Sequence, residues 1–226
     1  MFEHVEVDLG YDDMIAETSE TGRLYLNPKD DSKTYPSITT VLSILSADGI
    51  AAWRKRVGEE KANQISYRAS TRGTLVHEII EKYIDNDADY RSGYMPNIVA
   101  DFNVIKPILD GRIGKVFAQE VPLYSDHLGV AGRVDCIAEF DGKISVIDFK
   151  TSRKYKTREY ITNYFQQEAF YAIAWEERTG TPIQQLVTII ASEEGSQVFI
   201  ENRDDWTQEL TRTIELYNER EHKRNS

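Results

Sequence analysis

The sequence predicts an α/β layered fold: a central mixed β-sheet flanked by helices, with a helical extension on its N-terminal side. Three observations point there. The middle of the chain, 115–151, reads as three consecutive strands, with Asp141-Gly142 a two-residue hairpin signal between the last two. Before them, Leu75, Val76, Ile79, Ile80 and Tyr83 form an apolar stripe at three- and four-residue spacing. After them, the order is helix, two strands, helix.

The elements follow in order. Residues 1–36 read as an irregular lead-in with a short hairpin around residues 23–26. An apolar stretch at 41–45 follows, with Ser37 or Thr39 as the helix cap. Residues 50–68 are helical and basic, and 71–84 form a second, strongly patterned helix. A polar loop at 85–96 leads to a short helix over 98–109. Strands are expected at 115–124, 129–140 and 143–151, then a helix at 161–178 stopped by Gly180 and Pro182. Strands at 185–192 and 197–202 and a closing helix at 204–220, capped by Asp204, complete the chain. The expected division is an N-terminal lead-in with a helical region over 1–70 and a core over 71–226.

Composition sets limits. The 226 residues carry a net charge of −11, which disfavours a surface-wide basic footprint but leaves room for a local groove. The single cysteine, Cys136, excludes an intrachain disulfide and a cysteine-ligated iron–sulfur cluster. No signal-peptide core and no apolar run long enough to span a membrane is seen, so a soluble, cytoplasmic protein of a reducing compartment is expected.

The chemistry concentrates on the hairpin. If Asp141-Gly142 is the whole loop, Phe140 faces Lys143, and stepping back puts Asp135 opposite Asp148. Opposed Cβ atoms lie ~5 Å apart, and like charges at that distance destabilise a hairpin unless a cation sits between them. Lys150, two residues on, points to the same face. Oxygen ligands suit Mg²⁺, with Mn²⁺ able to substitute. Such an ion can orient a phosphodiester and lower the pKa of water, while Lys150 supports the attacking water or the developing charge. The plain alternative is that both aspartates are strand-end residues paired with Arg133 and Lys150. Glu120 joins the same face if a loop at 125–128 sets it opposite Arg133, where an ordinary salt bridge is the competing reading. His77 edges the apolar stripe, where a core histidine is the competing reading. Gln167 and Tyr171 share one face of their helix, roughly opposite Phe165, Ala169, Ala172 and Ile173.

Together the pieces resemble the PD-(D/E)XK nuclease superfamily, in its RecB-like exonuclease branch. The family's ordered motifs are Gly-x-x-x-His on a helix, Gly-x-x-Asp on a strand, Asp/Glu-x-Lys on the next strand, and Gln-x-x-x-Tyr on a helix. Here they read Gly73 with His77, Gly132 with Asp135, Asp148 with Lys150, and Gln167 with Tyr171. Tyr35-Pro36-Ser37-Ile38-Thr39-Thr40 and the Trp-containing basic helix after it are similar to mitochondrial genome-maintenance exonucleases and their phage-encoded relatives. The resemblance implies a restriction-endonuclease-like core. It implies metal ligation by His77, Asp135, Asp148 and the Phe149 carbonyl, with Lys150 as catalytic lysine. Gln167 and Tyr171 would contact DNA or brace the site. Val134 stands where this branch commonly has proline.

DNA contact is expected from Trp53, Arg68 and Arg72, because basic and aromatic side chains together suit single strands, and from Lys154 in the basic run after the third strand. A solvated surface is the plain alternative for both runs. The implied activity is a Mg²⁺- or Mn²⁺-dependent DNA exonuclease of replication, repair or recombination, preferring single strands or ends, with proteins of those processes as partners. The alternatives are a double-strand-end exonuclease or endonuclease of the same fold, an inactive nucleic-acid-binding module, or an acidic scaffold.

Overall fold

Asp141 and Gly142 both adopt left-handed backbone angles, with φ of 52° and 76°. That pair lets a two-residue turn follow the twist of its strands. The turn joins β5 (Val130–Phe140) to β6 (Lys143–Ser152), and Phe140 pairs with Lys143. The turn is exposed in the computed structural model, which describes residues 1–19 and 21–225. With β4 (Ile113–Ser125), β7 (Gln185–Ser192) and β8 (Gly195–Asn202), these strands form one sheet in the order β4-β5-β6-β7-β8. Only β6 and β7 pair in parallel, joined by the crossover helix α5 (Thr162–Thr179).

Helices cover both faces. The small helix α1 (Ile38–Leu42), α5 and α6 (Arg203–Asn225) cover one; α3 (Glu59–Ile84) and α4 (Pro96–Arg112) cover the other. Alternation along β6 sends Val146 to the α5 face and Ile147 and Phe149 to the α3–α4 face. On β7 the split is Leu186 and Ile190 against Val187, Ile189 and Ala191. These inner strands are apolar on both faces because both faces are covered.

The N-terminal part holds two departures from the sequence reading. Residues expected to be irregular form a three-stranded antiparallel sheet, β1 (Ala16–Ser19), β2 (Gly22–Asn27) and β3 (Asp30–Pro36). All four β1 residues are exposed, so no alternation marks the strand. This sheet packs Tyr25 and Tyr35 against Tyr124 and Ala131 of the large one, with Tyr35 stacked on Tyr124 at 5.7 Å. Of the two expected caps, Ser37 is the one that caps α1, accepting the Thr40 N–H at 3.1 Å. The second departure is that the helix break falls at Gly58, with φ of 91°, between α2 (Ala47–Val57) and α3. Glu59 and Glu60 open α3 where its N–H groups favour anions, and Arg54, Lys55 and Arg56 close α2. Ser70 and Thr71 lie inside α3, so the division placed at residue 70 falls within one continuous helix.

The β4–β5 register also differs. The loop is 126–129, so Ser125 pairs with Val130 and Pro122 with Arg133. Ser125 extends the strand because its carbonyl accepts the Gly129 N–H and its hydroxyl accepts the Leu128 N–H, both at 2.9 Å. Gly129 supplies the left-handed angle, φ 64°, that closes the loop. No helix among the described residues is long and apolar enough to cross a membrane.

Candidate active site

The β5–β6 ladder runs from Phe140 and Lys143 to Cys136 and Ile147, one step short of Asp135 and Asp148. There the main-chain pairing stops and a side chain takes over. Asp135 Oδ2 accepts the Phe149 N–H at 2.8 Å. The hairpin geometry read from the sequence therefore brings the two carboxylates to the same end of the sheet.

Asp148 is only 2% exposed. Lys150 Nζ lies 2.6 Å from its Oδ1 and 2.5 Å from its Oδ2, and Gln167 Nε2 donates to Oδ1 at 3.1 Å. The Lys150 ammonium also sits 5.1 Å above the Tyr164 ring of α5. Burial pushes the Asp148 carboxyl up to about 6 against the opposing pull of Lys150, with Asp135 adding to the rise. At Lys150 burial alone would lower the pKa, but Asp148 and Asp135 outweigh it and hold the ammonium above its ordinary range.

Beside this pair, His77, Glu120 and Asp135 bring one ligand atom each to within 4.8 Å of one another. His77 comes from α3, and its Nδ1 is 3.7 Å from Asp135 Oδ2. Glu120 comes from β4, where it takes a left-handed φ of 50° while Arg133 donates to its carbonyl. A non-glycine residue in that region costs energy and often marks a functional site. Burial, Asp135 and Glu81 push the Glu120 carboxyl up to about 8. Glu120 faces Asp135, between the pairs Gln119–Cys136 and Val121–Val134, and not Arg133 as expected. Crowded carboxylates with an imidazole fit a divalent cation: the donors match, and the raised carboxyl marks repulsion that a cation would relieve.

The remaining expected residues divide. His77 and Asp135 belong to the cation group, and Glu120 joins them, whereas Asp148 lies outside it, held by Lys150 and Gln167. Phe149 buries its ring in the α3–α4 core, 6.3 Å from His77, and gives its N–H to Asp135. Gln167 and Tyr171 are both buried, because α5 is covered by the sheet on one side and by α1 and α6 on the other. Their geometry is that of braces, since Tyr171 Oη donates to the Arg133 carbonyl at 2.7 Å and Gln167 holds Asp148. Of the two roles the resemblance implied for them, DNA contact or bracing, these hydrogen bonds fit bracing. Arg72 spends Nε and Nη2 on Asp101, at 2.6 and 2.7 Å. Arg68 and Lys154 are exposed and Trp53 is half-buried.

Sequence reasoning missed Glu81, Tyr164, Glu168 and Asp101. Glu81 is four residues from His77 and so shares its helix face, a signal that was available. Asp101 carried none, because its partner comes from another helix.

The PD-(D/E)XK nuclease superfamily matches residues 108–225, just over half of the chain. Two curated proteins are similar over most of its length. Mitochondrial genome maintenance exonuclease 1 of Homo sapiens is 25% identical over 215 residues, 84% of this chain. The protein of the same name from Mus musculus is 25% identical over 203 residues, 82% of this chain. The chain spans 60% of the length of each. A solved structure titled Crystal structure of SSO0001 aligns with 63% of this chain and 71% of its own at 19% identity, with a TM-score of 0.36. The family match takes in Glu120, Asp135, Asp148 and Lys150, and by it the chain belongs to the PD-(D/E)XK nuclease superfamily.

Proposed function

We propose that this nuclease is a divalent-metal-dependent DNA exonuclease acting on single strands or strand ends, in replication, repair or recombination. The observation that carries the reading is the meeting of His77, Glu120 and Asp135 beside the buried Asp148–Lys150 pair. The relatives named as genome maintenance exonucleases support DNA as substrate and ends as the point of attack.

His77, Glu120 and Asp135 would hold the cation, with Asp148 and the Phe149 carbonyl completing its surroundings. The chemistry a divalent cation supplies at such a site is charge neutralisation at the scissile phosphate and acidification of the attacking water. Lys150 brings a fixed positive charge to the same place and stabilises the extra negative charge of the transition state. Gln167 keeps Asp148 oriented, and Tyr164 sets a wall under Lys150. Trp53, Arg68 and Lys154 suit contact with the strand outside the site, by stacking and by charge.

End-labelled single- and double-stranded oligonucleotides, incubated with Mg²⁺, Mn²⁺ or EDTA, test the reading. Stepwise shortening of the single strand is expected with either metal, none with EDTA, and none with Asp148→Asn. Cleavage that persists in EDTA or in the variant refutes it.

A further inference from the structure

Where β6 ends, two residues past Lys150, a cleft of ≈ 410 Å³ opens between α3 and the β7–β8 turn. That volume lies within the ~300–1,000 Å³ of small-ligand sites. Its floor includes Ile65, which is 40% exposed, and Ala69. Its walls carry Arg68, Arg72 and Arg153, with one carboxylate, Glu193, from the turn.

The arrangement of the guanidiniums is specific. The grip of Asp101 on Nε and Nη2 of Arg72 fixes the side chain and leaves Nη1 directed into the cleft. The Nη1 acceptors there are the Ser152 carbonyl and Glu193 Oε1, both at 3.4 Å. Charge-assisted bonds normally close to ~2.7–2.9 Å. The same Glu193 oxygen lies 3.9 Å from Arg153 Nε. One oxygen therefore spans two guanidiniums without closing on either. A phosphate, with several oxygens spread over a tetrahedron, reaches both. Asp101 and Glu193 leave the three arginines with a net charge of +1, and loss of the Glu193 charge makes it +2.

We propose that this cleft binds one nucleotide unit of a nucleic-acid strand, with its phosphate on Arg72 and Arg153, and that Glu193 is an internal competitor for that phosphate. The proposal rests on the nuclease acting on DNA strands and gives that strand a subsite next to Lys150. Base and sugar lie over Ile65 and Ala69, with Arg68 at the rim. A carboxylate tethered in place of the phosphate weakens the hold on any one nucleotide. A strand that advances past the site must be released at each step, and this contact favours release.

The test is binding of a fluorescent single-stranded oligonucleotide in EDTA, where no cleavage occurs, over a range of salt concentrations. Wild type, Glu193→Gln and Arg153→Ala are compared. Glu193→Gln is expected to bind about 3–10-fold tighter, with a salt dependence steeper by up to roughly 0.7 in log–log slope, the value for one further phosphate contact on a single strand. Arg153→Ala is expected to shift both quantities the other way. The Glu193 side chain is 56% exposed, so an unchanged melting temperature accompanies the affinity change. Binding by all three proteins with the same affinity and slope overturns the cleft proposal alone. Absence of binding by all three overturns the DNA reading together with it.

Discussion

Asp135 Oδ2 accepts the Phe149 N–H at 2.8 Å, so a carboxylate closes the β5–β6 pair at the point where its main-chain ladder ends. The same oxygen is 3.7 Å from His77 Nδ1. Asp135 therefore has a structural bond that an amide oxygen can replace and a charge that it cannot. Asp135→Asn is expected to fold, and to melt in EDTA at or above the wild-type temperature, because one carboxylate no longer repels Glu120. Saturating Mn²⁺ should raise the wild-type melting temperature by roughly 5–10 °C, as follows from about 2.7 kcal/mol at a hundredfold excess over Kd. The variant should show no such rise. Equal shifts in the two proteins would remove Asp135 from the cation site.

How Asp148 is replaced decides what is measured. Its carboxylate is buried against Lys150, whose side chain is 22% exposed. Asp148→Ala leaves the ammonium without its partner and should cost about 3 kcal/mol, the low end for a broken buried pair because water still reaches Lys150. Asp148→Asn keeps an oxygen for Lys150 and Gln167 and should cost less than half of that. Both should lose cleavage completely. Urea denaturation of the two variants checks the difference, and equal destabilisation would mean that the oxygen kept by asparagine contributes nothing and that loss of the charge accounts for the whole effect.

Much of this site was legible because turn chemistry fixes register. Asp141-Gly142 sets Phe140 opposite Lys143, and every pair back to the aspartates follows. The β4–β5 loop had no comparable signal. It was set at 125–128 and lies at 126–129, which moves the register by two residues and Glu120 from Arg133 to Asp135. A shift of two preserves the face, so Glu120 still reaches the site. Helix α5 was harder. Its sequence shows an apolar stripe and a polar face, but how many layers cover a helix is a tertiary fact. The polar face looks at the sheet, where Gln167 reaches Asp148 on β6, Glu168 takes the Thr188 hydroxyl of β7 and Tyr171 reaches the Arg133 carbonyl of β5. Helices α6 and α1 cover apolar residues, so Gln167, Glu168 and Tyr171 are buried where a lone amphipathic helix would expose them.

Two motif glycines have opposite tolerances. A Cβ at Gly132 would lie 2.8 Å from the Tyr171 hydroxyl and 3.0 Å from Ile38 Cγ2, so the glycine exists to let α5 and α1 approach β5. At Gly73, inside α3, a Cβ would meet only Thr151 Oγ1, at 3.6 Å. Gly132→Ala should destabilise by roughly 1–3 kcal/mol, as overpacking does, and reduce cleavage by displacing the Tyr171 brace. Gly73→Ala should instead stabilise by up to about 1 kcal/mol, the helix-propensity gain. Melting temperatures that move in the same direction would contradict the packing argument.

Glu168 makes stability depend on pH in a direction opposite to that of most carboxylates. It is fully buried on α5 and accepts a hydrogen bond from the Thr188 hydroxyl at Oε1, while Oε2 has no hydrogen-bond partner among the described residues. Burial first, and then the field of Asp148, push its pKa well above the ordinary 4.5. The folded chain therefore keeps this proton after the unfolded chain has lost it. Where the folded state binds more protons, stability falls as pH rises. The Glu168 contribution is whole below pH 4.5, the unfolded value, and drains away as pH climbs towards the folded pKa. Glu168→Gln keeps the oxygen that Thr188 needs and removes the titration. Wild type and variant should be about equally stable near pH 4.5, and the variant increasingly the more stable towards pH 8. Asp148 and Glu120 titrate in both proteins, so the difference between their denaturation midpoints isolates Glu168. A difference that stays constant with pH would show that Glu168 is ionised in the folded chain and paired with Lys150.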